Sequence, residues 1–271
     1  MMDSVIPFCE RAAEARNWFE DPELWVVATD FERSYRRLPH QLHFEIALCK
    51  LGHVPRRICV TSVRDGQALA PVAERLPGVI LRAREPFPAF LPQARAALPT
   101  NVSIECGWPH EQDTECEPFD LICGYSDMRL WPELAAGLTR VKSLLAPNGM
   151  AYFQDFRADM SEAIRRELIS SIPDPHQREF FAVQANAALP AGVVTNALRT
   201  AGFKTWSLSW GGLGGAPARS AAALSMIQCS PELARLLFQL QSFGFRRASA
   251  AELMFHLFVF GDGRKPNEAN C

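Results

Sequence analysis

The residues best placed to do chemistry in this chain are polar groups that follow short apolar runs. Tyr125, Ser126, Asp127 and Arg129 come just after Phe119-Asp120-Leu121-Ile122-Cys123-Gly124. Asp127 is a candidate to accept a proton from a hydroxyl or an amine, with a loop ion pair to Arg129 as the alternative. His110 and Glu111 follow the run from Asn101 to Cys106 and form a candidate acid/base pair, or else an exposed histidine in an acidic loop. His43 and Glu45 lie in a helical segment, where His43 between Leu42 and Phe44 is either catalytic or simply packed. Arg64, Arg82 and Arg84 stand at the ends of two more runs. Together they would hold a phosphate, a carboxylate or an acidic partner; separately they are solvated cations. The stretch Gly211-Gly212-Leu213-Gly214-Gly215 invites a phosphate-loop reading. It lacks the Lys-Ser/Thr of a P-loop and the spacing of a dinucleotide fingerprint, so a plain loop between strands is expected.

Positioning these groups falls to alternating strands and helices. Residues 9 to 52 read as two or three helices, with a start at Asp21-Pro22-Glu23 and a break at Pro39. Strands are expected at Arg57–Thr61, Val79–Leu81, Asn101–Cys106, Phe119–Gly124 and Met150–Asp155. Helices are expected between them, at Gln67–Leu76, Ala89–Leu98 and Leu130–Leu145. Such alternation argues for a parallel sheet covered on both faces, with any ligand at the carboxyl ends of the strands near the point where their order reverses. A helical interlude to about Leu189 and a helix ending at Ala201-Gly202 precede a strand at Phe203–Trp210. Helical stretches near Ala218–Met226 and Pro231–Gln241 and a last strand at Leu253–Phe260 complete the pattern. No repeat or low-complexity tract divides the 271 residues, so one domain is expected. Its parts are an N-terminal helical cap (1–55), a Rossmann-like core (56–155), a helical insert (156–190), the rest of the sheet (191–261) and a tail (262–271).

Composition narrows the function. With 48% apolar residues the chain can bury a substantial core, and 28 Lys plus Arg against 30 Asp plus Glu give a formal charge of −2. Nucleic-acid wrapping and anionic-membrane binding both need a positive surplus, so neither is expected. No stretch reaches the roughly 18 consecutive apolar residues of a spanning helix, and Asp3 stands where a signal peptide is basic. The eight cysteines form no CxxC pair and no zinc-like spacing, and Cys59 and Cys123 sit inside apolar runs. A reduced, cytoplasmic chain without a structural metal is the expectation.

Several local motifs resemble one family, the class I S-adenosylmethionine-dependent methyltransferases. Phe119-Asp120-Leu121-Ile122 is similar to its "FDLV" fourth strand. The run from Leu138 through Leu144-Leu145-Ala146-Pro147-Asn148-Gly149-Met150 resembles its "LREIRRVLKPGGRLLI" helix, turn and strand. Ala201-Gly202-Phe203 resembles the "AGF" before the sixth strand, and His256-Leu257-Phe258-Val259-Phe260 the closing one. The resemblance covers roughly residues 20 to 261. It implies a Rossmann-like seven-stranded α/β sandwich with an N-terminal and an inserted helical cap.

The resemblance also implies where S-adenosylmethionine would sit. In the family's "DxGxGxG" turn, glycine is needed because the backbone passes against the cofactor. Here Val60 takes the acidic position and Ser62, Arg64 and Gly66 the glycine positions. The acid that receives the ribose hydroxyls falls at Ala83, or at Glu85 if the strand runs two residues further. Gly107-Trp108 stands where the family often has Gly-Asp reading adenine, and Tyr125 follows the fourth strand near the transferred methyl. Three functions therefore stay open. The first is methyl transfer to a small, fairly apolar metabolite. The second is a non-catalytic, methyltransferase-derived partner protein. The third is the same pocket turned to a cyclisation, elimination or rearrangement. The partner is accordingly a small molecule or another protein.

Overall fold

The sheet grows from β-rich runs whose neighbours point to opposite faces. The strands are β1 (Arg57–Val60), β2 (Ile80–Glu85), β3 (Val102–Cys106), β4 (Phe119–Tyr125), β5 (Leu145–Phe156), β6 (Thr205–Trp210) and β7 (Phe255–Gly261). A computed structural model provides this architecture and describes residues 7–111, 117–210 and 255–261. The glycine run at 211–215 and the helical stretches expected at 218–226 and 231–241 lie outside the described residues.

The strand order is β3-β2-β1-β4-β5-β7-β6. β3, β2, β1, β4 and β5 pair in parallel, and β7 runs antiparallel to both β5 and β6. The order reverses between β1 and β4, and the edge past their carboxyl ends is the crevice position where sheets of this kind take ligands. β5 starts earlier than expected. Leu145 already pairs with Phe119, and a register shift before Leu121 carries Pro147-Asn148-Gly149 as an irregularity within the strand.

The helices are α1 (Phe8–Glu20), α2 (Pro22–Phe31), α3 (Arg37–Leu51), α4 (Ala70–Arg75), α5 (Leu91–Ala97), α6 (Leu134–Leu144), α7 (Glu162–Ser170), α8 (Pro175–Asn186) and α9 (Ala191–Thr200). Asp21 starts α2 as expected, its carboxylate accepting the amides of Glu23 and Leu24. The break expected at Pro39 lies upstream instead. α3 runs through Pro39, and the irregularity is a π-helical turn at Glu32–Arg36. Pro39 lacks the amide that would bond back one turn, so near a helix start it is tolerated, and the wider turn before it absorbs the mismatch.

One face of the sheet packs Leu42, Phe44 and Ile46 of α3 against Val60, Leu81, Ala83 and Cys123. The other packs Leu138, Val141, Val194 and Leu198 against Cys59, Ile122 and Phe153. A third cluster, largely aromatic, gathers Trp18, Phe19, Phe31, Phe87, Phe90, Phe180 and Phe181 with Tyr125 and Phe156. Among the described residues no helix is long and apolar enough to cross a membrane.

Candidate functional site

Backbone strain marks the crevice. Among the described residues, the non-glycine positions with positive φ are Arg64 (52°) and Ser126 (57°). They follow β1 and β4, the two strands where the order reverses. A left-handed backbone at a residue with a Cβ costs about 1–2 kcal/mol and persists only where the surroundings enforce it. At Arg64 the enforcement is visible. Its amide donates to Glu85 Oε2 at 2.6 Å and its Nη1 to Glu85 Oε1 at 3.3 Å. Its guanidinium lies 4.5 Å from the Phe19 ring centre, 5.0 Å from Phe87 and 5.8 Å from Phe90.

β2 runs on to Glu85, two residues past Ala83, which is buried in the core. The Glu85 carboxylate faces the turn after β1. It accepts four bonds, from the Arg64 amide, Arg64 Nη1, Ser62 Oγ at 3.1 Å and the Phe87 amide at 3.0 Å. An ionised carboxylate offers about four acceptor positions, so none is left over. Burial pushes the Glu85 pKa up, opposed by the Arg64 charge and these donors.

The N-terminal helices close over the same edge. Glu32 Oε1 takes Arg36 Nη1 at 2.5 Å and lies 3.8 Å from Arg64 Nε. Arg36 Nη2 donates to the Tyr125 carbonyl at 3.3 Å, and its guanidinium sits over the Tyr125 ring. His40 stacks on that ring at 5.0 Å, and His43 Nδ1 lies 3.2 Å from Gln154 Oε1. Burial lowers the pKa of both histidines: His40 well below its usual range, with His43, Arg36 and Arg64 adding repulsion, and His43 to about 3. Both are neutral at physiological pH.

At the exit of β4, Asp127 accepts Thr61 Oγ1 at 2.5 Å and Trp131 Nε1 at 3.4 Å, leaving Oδ1 without a partner. Burial, reinforced by the Asp155 charge, raises its pKa to about 6 against those two bonds and Arg64. Arg129 pairs with Asp155 at 2.9 Å. It also donates to Ser126 Oγ at 2.6 Å and Gln184 Oε1 at 2.6 Å, and burial draws its pKa down to about 10.

The other candidates lie elsewhere. Gly66 (φ 77°) packs against α5, where a Cβ would stand 3.1 Å from Ala94 and Leu98. Gly107 (φ 119°) and Trp108 follow β3, with the Trp108 amide on Glu111 Oε2 at 2.6 Å and its ring edge-on to Phe87 at 5.4 Å. His110 sits in a short 3-10 turn, Pro109–Glu111. β3 is three strand positions from β4, about 14 Å, so His110 and Asp127 belong to different parts of the edge. Arg84 alternates with Glu85 and turns to β3, donating to the Cys106 carbonyl at 3.3 Å and pairing with Glu105 at 3.7 Å. Of the three arginines grouped in the sequence, it is Arg64 that reaches Glu85. Glu45 pairs with Arg75, on α4. Among the described residues no three His, Cys, Asp or Glu side chains are grouped to hold a metal ion.

A parallel run β3-β2-β1-β4-β5 completed by an antiparallel β7 beside β6 is the class I S-adenosylmethionine-dependent methyltransferase fold. Solved structures bear this out over nearly the whole chain. The plantazolicin methyltransferase BpumL, in complex with a triazolic desmethylPZN analog and SAH, superposes with a TM-score of 0.78 at 16% identity, covering 97% of this chain and 100% of that one. The plantazolicin methyltransferase BamL, with the same kind of analog and SAH, gives 0.76 at 15% identity over 94% and 98%. No protein-family model and no curated protein sequence matches.

The residues at the strand edge do not fit the cofactor of that fold. A ribose diol needs a free acceptor, and Glu85 has spent its positions on this chain's own donors. Arg64, 3% exposed, fills the turn where the family has glycine. Phe19 stacks on Phe87 at 4.8 Å and closes the face beside them. Glu32, Arg36 and His40 are the site residues that the sequence reading missed. Their signal was present: Thr29, Glu32, Arg36, His40 and His43 recur every three or four residues and so fall along one face of a helical stretch.

Proposed function

We propose that this chain is a methyltransferase-derived protein that has given up methyl transfer and works by binding. Its ligand is a small molecule or a protein partner, held where helices 1–55 and 156–190 act as a cap over one continuous α/β domain. The observation that carries this reading is the saturated Glu85 carboxylate, with Arg64 locked on it. Cys59 and Cys123 are buried and not joined in disulfides, which suits a reducing cytoplasm. Titration calorimetry of the whole chain with S-adenosylmethionine and S-adenosylhomocysteine tests it. No heat and no thermal shift are expected, and micromolar binding of either would overturn it.

A second reading, methyl transfer to a small, apolar metabolite, draws on the near full-length likeness to plantazolicin methyltransferases solved with SAH. It requires Arg64 and Phe19 to leave the strand edge together, and the same titration decides between the two.

A further inference from the structure

We propose that the buried face of α2, the π-helical turn and α3, where it meets Arg64, is a binding site for a small apolar carboxylate, gripped by Arg36 and Arg64. This rests on the reading above, in which no S-adenosyl cofactor occupies the crevice.

The first support is unmet hydrogen-bonding capacity. Arg36 Nε, Arg64 Nε and Nη2, His40 Nε2 and Thr29 Oγ1 are buried without a partner, on residues no more than 6% exposed. Buried polar atoms are normally satisfied, so several on facing elements call for an occupant. A guanidinium has five N–H donors and no acceptor, so what remains on the two arginines is donors alone. The missing group is therefore rich in acceptors, and a carboxylate matches the fork of a guanidinium best.

The second support is that a carboxylate already lies between them. Glu32 bonds Arg36 at 2.5 Å and stands 3.8 Å from Arg64 Nε, both through the same oxygen, Oε1. It occupies part of the clamp from within the π-helical turn, an irregular element that recurs at functional sites. A ligand carboxylate meets the same two cations once the Glu32 side chain turns out of the cluster, while Glu85 still faces Arg64 and Asp155 still faces Arg129. The walls fix the rest of the molecule. Phe19, Phe87 and Phe90 surround Arg64, and Tyr125 lies beneath Arg36, so the body attached to the carboxylate is apolar.

Benzoate is the probe, titrated by calorimetry into the full chain, with inorganic phosphate and benzamidine as comparisons. Benzoate is expected to bind the unaltered protein and to bind Glu32→Gln at least about tenfold tighter, about 1.4 kcal/mol, because the competing carboxylate is gone. Arg36→Gln is expected to abolish binding, and Arg64→Lys, which keeps the charge without the fork, to weaken it about tenfold or more. Silence of Glu32→Gln towards about 10 mM benzoate, in a sample with native circular dichroism, overturns the inference. Phosphate binding as tightly as benzoate overturns the carboxylate assignment, and benzamidine binding as tightly overturns the anion site. S-adenosylmethionine titrated in parallel separates the two failures. Its binding sinks the proposed function, whereas silence towards both ligands sinks this site alone.

Discussion

Replacing Arg64 separates the two things its side chain does, and the comparison of Arg64→Ala with Arg64→Gly is quantitative. Both variants remove the ion pair with Glu85, which is fully buried, and the aromatic contacts of the guanidinium. Breaking a buried pair by deleting one partner costs about 3–5 kcal/mol, mostly the uncompensated charge left behind. Glu85 keeps the Ser62, Phe87 and residue-64 amide donors, which places the loss at about 3 kcal/mol, the lower end of that range. The variants differ at the backbone. With φ at 52°, alanine retains about 1–2 kcal/mol of left-handed strain that glycine does not have. Glycine loses about 0.5–1 kcal/mol to unfolded-state entropy, so it should be the more stable of the two by about 0.5–1 kcal/mol.

A pH dependence checks the same argument. The folded-state pKa of Glu85 is raised, so the folded chain holds that proton more firmly than the unfolded chain does. Stability is therefore lost as pH climbs from the ordinary glutamate value through the raised one. Arg64 opposes that rise; without it the pKa climbs further, and both variants should lose more at pH 8 than at pH 5. Urea unfolding at the two pH values is the assay. An Arg64→Ala protein as stable as the parent, or a deficit independent of pH, would refute the locked arginine and with it the saturated Glu85.

Asp127→Asn should be more stable than the parent at pH 7 by up to about 3 kcal/mol, because ionising a carboxyl whose pKa is raised to about 6 costs the folded state about two pH units' worth. The gap should close below about pH 4, where both side chains are neutral, and thermal melts at the two pH values read it. Gly124→Ala places a Cβ against Thr61 Oγ1, 2.5 Å from Asp127 Oδ1 and 2.6 Å from Phe153, so a loss of about 1–3 kcal/mol is expected in urea unfolding. Asp21→Ala removes the two-amide cap of α2 and should cost about 1 kcal/mol with little change in the near-ultraviolet spectrum of the core.

The sheet was legible because its signals are local. Phe119-Asp120-Leu121-Ile122 and Ala201-Gly202-Phe203 carry their own strand and turn chemistry, and each strand overlaps its expected run. β2 nevertheless continues to Glu85, and β5 begins at Leu145 and takes in Pro147-Asn148-Gly149. The site was legible only in part. Arg64 and Glu85 could be placed near one another by strand order, yet whether β2 ended at Ala83 or Glu85 depended on its pairing with Ser103 to Cys106, which no local pattern encodes. The pairing of Arg129 with Asp155 rather than Asp127 spans 26 residues and is fixed by β5 lying beside β4. Glu32 and Arg36 were overlooked because a charged pair four residues apart on a helix reads as a solvated face. Their burial follows from α2 and α3 lying over the strand edge, a tertiary fact.

Arg64 links three elements that a bound ligand would otherwise have to link. It bonds Glu85 at the end of β2, faces Glu32 in the π-helical turn and packs on Phe19 of α1. The N-terminal helices are therefore docked by the chain itself, before anything binds. A carboxylate bound at the proposed site acts by exchange, displacing Glu32 from its contact with Arg36. Its apparent affinity is then reduced by the small fraction of molecules in which that contact is open. Glu32→Gln raises that fraction without touching the strand edge, whereas Arg64→Gly alters both the contact and the edge. Glu32→Gln is therefore expected to gain carboxylate affinity, whereas Arg64→Gly is expected to lose it, because the guanidinium that holds the contact is also one that grips the ligand.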